Sequence, residues 1–370
     1  MAATVRQEAR PATDEISEVA PGIVRMQLPI KLPGLGHVNC YALEDENGFA
    51  LVDPGLPGEE PWNALVERLG QAGIPMARIH SVIVTHSHPD HFGGAARLRE
   101  ASGADVVSHK SFRLMWQVDD DGPDPQQLAD GAAEGEAEGA LKRFMSPMGR
   151  KQPWGGMYQP MGNAEQEQMR SRMNDPRAVP TPTRKLEDAQ VVRFARRDWV
   201  AVHTPGHTPD HLCLYDPVEG VVLSGDHVLP TITPHISGFG NVDNPLDEFL
   251  ASLDRMDTLE GVRCVLPAHG DPFSNLSDRV DHIRRHHVER LQRLLDASKA
   301  LGRRASVNEL MQHLFSERAW GSMAESETFA HLEHLRLQGL TDSAWHDDLL
   351  WYTLTPAGVV AATASHDTEA

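Results

Sequence analysis

The sequence predicts an α/β protein with more than one module, on three observations. Short apolar strands alternate with amphipathic helical stretches over residues 22–110, and strand signals return over 188–275. Several of these strands run straight into loops rich in His and Asp. A long amphipathic helix, two shorter helices and a hairpin pattern complete the chain.

Composition narrows the function. The chain has 370 residues, 40% of them hydrophobic, so it can bury a full core. Its formal net charge of −19 repels polyanions and argues against a nucleic-acid partner. No run of 18 apolar residues exists, so no membrane span is expected. The opening MAATVRQEARPATDEISE has no apolar signal region, which points to the cytoplasm. Cys40, Cys213 and Cys264 lie far apart in apolar runs, as buried thiols of a reducing compartment do.

In chain order, residues 1–21 read as a loose polar arm. GIVRMQL and HVNCYALEDENGFALVDPG read as strands, with a hairpin turn at Glu46–Gly48. Glu60–Ala72 has helical periodicity, with Leu65, Leu69 and Ala72 on one face. Strand 79–85 follows, then AARLREASGADVVSH, a helix, a glycine break and a strand. Residues 111–185 lack strand periodicity; Asp119–Glu138 holds eight acidic and no basic residues. This stretch reads as a partly helical insertion, either a lid over the site or a solvated appendage. Strand signals return with VVRFA, WVAVHTPG, HLCLYDP, VVLSGDHV and VRCVLPAHG, closing a catalytic module over 22–275. Residues 276–301 form a long helix with Val280, Ile283, Leu291, Leu294 and Leu295 on its apolar side. Ser306 and Glu309 make a capping box, a helix over 324–338 stops at Gly339, and TDSAWHDDLLWYTLT reads as a hairpin. That order over 302–358 is a winged-helix pattern, with 359–370 as a flexible tail.

The chemistry lies in SVIVTHSHPDHFGG, residues 81–94. Residues i and i+2 of extended backbone share a side, so His86 and His88 reach one metal. Asp90 and His91 fall past Pro89, which argues against a helix here, and serve a second. Further ligands wait at other strand ends: His203, His207 and His211 in HTPGHTPDH, Asp226 in LSGDH, His269 in LPAHG. Such repetition is hard to explain as core packing.

The motifs VDPG (52–55), HSHPDH (86–91), TPGH (204–207), SGDH (224–227) and PAHG (267–270) resemble, in this order, those of the metallo-β-lactamase superfamily. The resemblance implies an αββα sandwich with two metals at one edge of its sheets. It implies that His86, His88 and His207 hold one metal and Asp90, His91 and His269 the other, with Asp226 bridging. Asp53 matches a position that orients ligands, and His211 and His227 adjoin ligand motifs and are expected to support them. His203 reads as a packing residue. His37, His235, Arg150, Lys151 and Trp154 are candidate substrate contacts. One departure is GHTPDH where many relatives read GHTxGH, which places Asp210 at a glycine position.

Two divalent ions about 3.5–4 Å apart share a hydroxide at neutral pH, which attacks an electrophilic carbonyl or phosphorus. Asp90 would orient this nucleophile and take its proton. The ligand set suits zinc, and also iron or manganese. The expected substrate is a thioester or related small acyl compound, as for hydroxyacylglutathione hydrolase. A lactone is the nearest alternative in chemistry. The winged helix resembles that of the β-lactamase-like endoribonucleases, which raises RNA, or a non-enzymatic regulator. Its second helix, AESETFAHLEHLRLQ, sets Glu325, Glu327 and Glu333 against Arg336, the wrong sign for groove reading. A packing module or a homodimer contact fits it better.

Overall fold

The alternating patterns build two sheets. The computed structural model describes residues 6–32, 34–114, 152–156, 179–239 and 242–364. The first sheet has seven strands in chain order: β1 (Ser17–Ala20), β2 (Ile23–Leu32), β3 (Leu35–Asp45), β4 (Gly48–Val52), β5 (Ile79–Ile83), β6 (Asp105–His109) and β7 (Arg184–Leu186). Strands β1 to β4 pair antiparallel and β4 to β7 parallel. Parallel neighbours need crossovers. α1 (Glu59–Gln71) links β4 to β5, burying Leu65 and Leu69. A turn of helix, α2 (Pro89–Phe92), and then α3 (Ala95–Ser102) link β5 to β6.

The second sheet is ordered β12-β11-β10-β9-β8, from β8 (Val191–Phe194), β9 (Arg197–His203), β10 (Leu212–Asp216), β11 (Val221–Gly225) and β12 (Cys264–Pro267). Its one parallel pair, β11 with β12, is bridged by α4 (Pro245–Asp257). One apolar core joins both sheets: Tyr41, Leu43, Val52, Ile83 and Val107 meet Phe194, Trp199, Leu214, Leu223 and Leu266. The result is an α/β sandwich with helices outside two sheets, the architecture that the sequence resemblance implies. It belongs to the first of two compact units, Met1–Phe112, Ser171–Ile236 and Pro245–His287.

Four readings of the sequence need correction. Over its described residues 6–21 the arm is not loose: Gln7–Ala9 forms a 3₁₀ turn, Glu8 is fully buried, and β1 joins the sheet. Pro89 does not exclude a helix, because it sits at the first helical position, where its missing N–H costs nothing. Helix α4 was missed although Leu246, Phe249, Leu253 and Met256 give it a buried face. The segment 359–370 is not all tail, since α8 (Pro356–Ala364) runs into it.

The second unit comprises Arg113–Arg170, Ser237–Asn244 and Val288–Ala370. It takes the C-terminal half of the long helix α5 (Leu276–Leu301). Then come β13 (Ala305–Ser306), α6 (Val307–Leu314), α7 (Ser322–Leu337), β14 (Thr341–His346) and β15 (Leu349–Leu354) before α8. The capping box is present: Ser306 accepts from Glu309 N–H, and Glu309 accepts from Ser306 N–H. Asp347 and Asp348, both at positive φ, close the β14–β15 hairpin in the two-residue turn that matches strand twist. Leu294, Leu310, Leu332, Leu335, Tyr352 and Trp154 share this unit's core.

Most of the insertion, including Arg150 and Lys151, lies outside the described residues. Among those described, no helix is long and apolar enough to cross a membrane. Cys40 and Cys213 are buried, Cys264 is half-buried, and all three are free thiols.

Trp199 fills the middle of the sandwich core without exposure, its indole N–H donating to the Phe194 carbonyl at 3.0 Å. Trp199→Ala leaves a large void and an unpaired carbonyl, so it should cost about 3–5 kcal/mol. Urea unfolding of the metal-free protein measures this; a loss below about 1 kcal/mol would mean that the two sheets pack elsewhere.

Candidate metal centre

Five strand ends converge. Asp53 follows β4, His86–His91 follow β5, His207 follows β9, Asp226 follows β11 and His269 follows β12. They form two groups, His86–His88–His207–Asp226 and Asp90–His91–His269. In the first, His88 Nδ1 lies 3.0 Å from His86 Nε2 and 3.1 Å from His207 Nε2. In the second, Asp90 Oδ2 lies 3.5 Å from both His91 Nε2 and His269 Nε2. Asp226 reaches both groups: Oδ2 is 3.6 Å from His207 Nε2 and 3.7 Å from His91 Nε2, and Oδ1 is 3.3 Å from His269 Nε2.

Neighbouring oxygens fix which nitrogen of each ring is free. Asp53 accepts from Thr85 N–H at 2.9 Å, from the Thr85 hydroxyl at 2.8 Å and from His91 Nδ1 at 2.8 Å. Because Thr85 spends its proton on Asp53, its oxygen accepts from His86 Nδ1 at 3.0 Å. His207 Nδ1 donates to the His235 carbonyl at 2.7 Å, and His269 Nδ1 to the His37 carbonyl at 2.6 Å. Each of these four rings therefore turns Nε2 inward, toward the place a cation would occupy. Gly206 shapes the His207 loop: at φ +126° its added Cβ would lie 2.4 Å from Phe249 backbone, so only glycine lets α4 press so close.

The electrostatics match that arrangement. Burial holds His86 and His207 below the usual imidazole range, and His88, also crowded by His207, falls to about 3. Burial alone would raise Asp90, yet the His91 and His269 imidazoles outweigh it and hold the carboxyl well down. Burial likewise opposes charge on His91 and His269, but Asp90 and Asp226 override it and favour a cationic state. The second group thus demands positive charge. His91 Nε2, His269 Nε2 and Asp226 Oδ1 are buried with no hydrogen-bond partner. Unpaired buried polar atoms cost about 1–3 kcal/mol each, and divalent cations at the two groups would satisfy all three. The 3.0–3.1 Å nitrogen separations sit near the roughly 3.3 Å edge of a tetrahedron with zinc–nitrogen bonds of about 2.0–2.1 Å. The residues therefore fit two metal ions.

The other predicted residues divide. His211 is a supporting group: it accepts from Asp226 N–H at 3.0 Å through Nε2 and donates to Thr204 through Nδ1 at 2.8 Å. His227 packs edge-on against Phe249, 4.9 Å between ring centres, and lies tilted against the supporting His211 at 5.8 Å. His203 stacks on His109 at 3.8 Å. His37 does not offer its ring to substrate, since Nδ1 donates to the Arg10 carbonyl and Nε2 accepts from Gly270 N–H. His235 contributes a backbone carbonyl to His207. Trp154 is a core residue of the second unit, tilted against Phe239 and Phe329, with its N–H directed to Glu325. Thr85 was missed, although its place between a strand and the first ligand marks it.

Asp210, at the departure from the family pattern, is buried and accepts from Ser87 Oγ at 2.9 Å. Ser87 lies between two ligands, so this bond ties two ligand loops together. Burial raises the carboxyl to about 7, against the smaller pull of Thr208 and Ser87. The folded chain then binds this proton more tightly than the unfolded chain, whose Asp pKa is about 3.9. Stability from this group is present below that value and is lost as pH rises through about 7.

Two outcomes follow from the geometry. Asp53→Ala removes the acceptor for both Thr85 and His91, so metal affinity should fall about 10–100-fold by chelator competition; unchanged affinity would show that the rings orient without it. Asp210→Asn cannot ionise, so the variant should gain on the wild type as pH rises from about 5 to 8. Urea midpoints of both metal-free proteins across that range test it, and a constant difference would place the titration elsewhere.

Comparison with known proteins shows the family. The profile of the metallo-beta-lactamase superfamily matches residues 33–269. The probable metallo-hydrolase YqjP of Bacillus subtilis is 22% identical over 347 residues, 89% of this chain and 97% of that protein. An atrochrysone carboxyl ACP thioesterase of Aspergillus fumigatus is 24% identical over 291 residues, 76% of this chain and 65% of that protein. The crystal structure of the metallo-beta-lactamase family protein TTHA1429 from Thermus thermophilus superposes with a TM-score of 0.69 at 28% identity, covering 91% of this chain and all of that one. With residues 33–269 matched by the family profile and its fold shared over most of its length, the chain belongs to the metallo-β-lactamase superfamily and is a metallo-hydrolase.

Proposed function

We propose that the protein is a dinuclear metal hydrolase that cleaves thioesters of small acyl groups, a hydroxyacyl-glutathione thioester being the nearest case. The observation that carries the reading is Asp226, whose carboxylate reaches His207 in one group and His91 and His269 in the other. Two divalent ions held by these residues would supply an activated water and polarise an acyl carbonyl. The chain's residues do the rest. His91 and His269 keep Asp90 ionised, so it is a proton acceptor beside the nucleophile rather than a donor to a leaving group. That asymmetry favours thioesters. A thiol has a pKa of about 8.5, so a thiolate leaves without a donated proton, whereas an alkoxide or amide anion does not. The similarity to a protein named as an ACP thioesterase supports the same class.

Zinc suits an imidazole-rich first group best; iron and manganese suit the carboxylate-bearing second group as well. The free thiols fit a reducing compartment such as the cytoplasm. In the C-terminal helix–helix–hairpin array, read as a winged helix, α7 buries Ser326, Thr328, Ala330, His331, Leu332, His334 and Leu335. A helix so buried has little surface left for a nucleic-acid groove, which supports a packing role.

Protein reconstituted with zinc, iron or manganese should be assayed on hydroxyacyl-glutathione and acyl-coenzyme A thioesters, a lactone, a β-lactam and a structured RNA. At least one thioester should turn over with kcat/KM above about 10⁴ M⁻¹ s⁻¹. Asp90→Asn should lower kcat more than KM, and the RNA should stay uncut. Cleavage of the lactone or the RNA with every thioester left intact would sink the reading.

A further inference from the structure

The N-terminal segment reaches one cation site through a single imidazole. His37, on β3, is almost fully buried. Gly270 N–H donates to its Nε2 at 3.0 Å, which places the ring proton on Nδ1. Nδ1 then donates to the Arg10 carbonyl at 2.7 Å. The backbone carbonyl of His37 accepts from Nδ1 of the ligand His269 at 2.6 Å. One residue thus grips the ligand with its backbone and the next residue with its ring, and residue 10 grips the ring.

The neighbouring bonds follow the same plan. His37, Asn39 and Tyr41 alternate along β3, so they face one side. Asn39 Nδ2 donates to the Pro267 and Gly270 carbonyls, each at 2.8 Å, and its N–H to the Ala268 carbonyl at 2.7 Å. The Tyr41 hydroxyl donates to the Pro267 carbonyl at 2.7 Å. Behind Asn39 stands Gln27, 3.3 Å away, whose oxygen accepts from Thr13 N–H and Oγ at 3.0 Å. Gln7 Oε1 accepts from Asp271 N–H at 3.0 Å. Glu8 anchors the segment, accepting from Thr231 N–H at 2.8 Å and Ile232 N–H at 3.1 Å. Residues 7, 10 and 13 therefore each tie to the 267–271 loop or to what supports it. The approach needs Gly36, where an added Cβ would lie 2.3 Å from the Arg10 carbonyl oxygen.

We propose that His37, clamped by residues 7–13, is the positioning residue for His269, and that the N-terminal segment thereby sets the cation affinity of the Asp90–His91–His269 site. The inference rests on the dinuclear reading above. It concerns one site selectively, because in the other group His86 is oriented by Thr85, His207 by the His235 carbonyl and His88 by its own loop.

The test is stepwise zinc titration of the metal-free full chain against a chromophoric chelator. The binding step abolished by His269→Ala identifies the site. Gly36→Ala pushes the 9–10 backbone off while keeping His37, and should weaken that step about tenfold or more, leaving the other step unchanged. His37→Phe should do the same, and His37→Gln, which keeps a donor and an acceptor, should restore part of the loss. Unchanged affinities in Gly36→Ala and His37→Phe overturn the proposal. So does equal weakening of both steps, which would mark general loosening. If His37→Phe does not fold, Gly36→Ala decides alone. A wild-type chain that binds one ion overturns the dinuclear reading and this proposal together; two ions with insensitive variants overturn this proposal only.

Discussion

The centre depends first on the carboxylate of Asp53. It accepts from Thr85 twice and from His91 once, and through Thr85 it sets the ring of His86. One side chain thus orients a ligand in each group. It does so from a backbone at φ 53°, a left-handed conformation that asparagine and aspartate tolerate better than most residues. The turn holds because β4 and β5 are parallel neighbours: Asp53 N–H donates to the Ile83 carbonyl at 3.0 Å, pinning the turn to the strand that carries the ligands. A strained residue persists where its surroundings over-determine it, and here three hydrogen bonds and a strand do so.

Burying seven ionisable groups in one place would ordinarily be ruinous. The structure manages it by sorting charge. The three imidazoles of His86, His88 and His207 are held neutral by burial, while two carboxylates draw His91 and His269 toward a cationic state. The first group therefore accepts a cation as lone-pair donors, and the second requires one to balance Asp90 and Asp226. The apolar sandwich beneath, with Trp199 at its centre, provides the rigidity that keeps strand ends from relaxing apart once this charge is in place.

Much of this was legible in the sequence, for local reasons. The period-two rule puts His86 and His88 on one side, and small or turn-forming residues after apolar strands mark loops that can carry ligands. The hairpin at Glu46–Gly48 and the Ser306–Glu309 box are likewise local chemistry. What failed was long-range or carried by backbone. Arg10 acts through its carbonyl and Glu8 through a contact more than 220 residues away, and neither has a signature in the chain. His37 looked like a substrate contact because an isolated histidine beside a strand gives no hint that both its nitrogens are engaged. Pro89 was misread because the same ring that breaks a helix interior starts a helix well.

The bracing is uneven. His86, His91, His207 and His269 each donate Nδ1 to an oxygen and present Nε2. His88 alone presents Nδ1, and it is the one residue of the two groups that is half-buried rather than buried. An imidazole used through Nδ1 stands nearer its own backbone, so its orientation comes from the loop path between Ser87 and Pro89 rather than from an oxygen behind the ring. That path is fixed on one side by the Ser87–Asp210 bond and on the other by the helical turn that Pro89 begins. Asp210 and Pro89 therefore do for His88 through the backbone what Asp53, His235 and His37 do for the other rings by hydrogen bonds. This is why the aspartate at position 210, buried and bonded to Ser87, supports the metal-ligand loops of this chain rather than its surface.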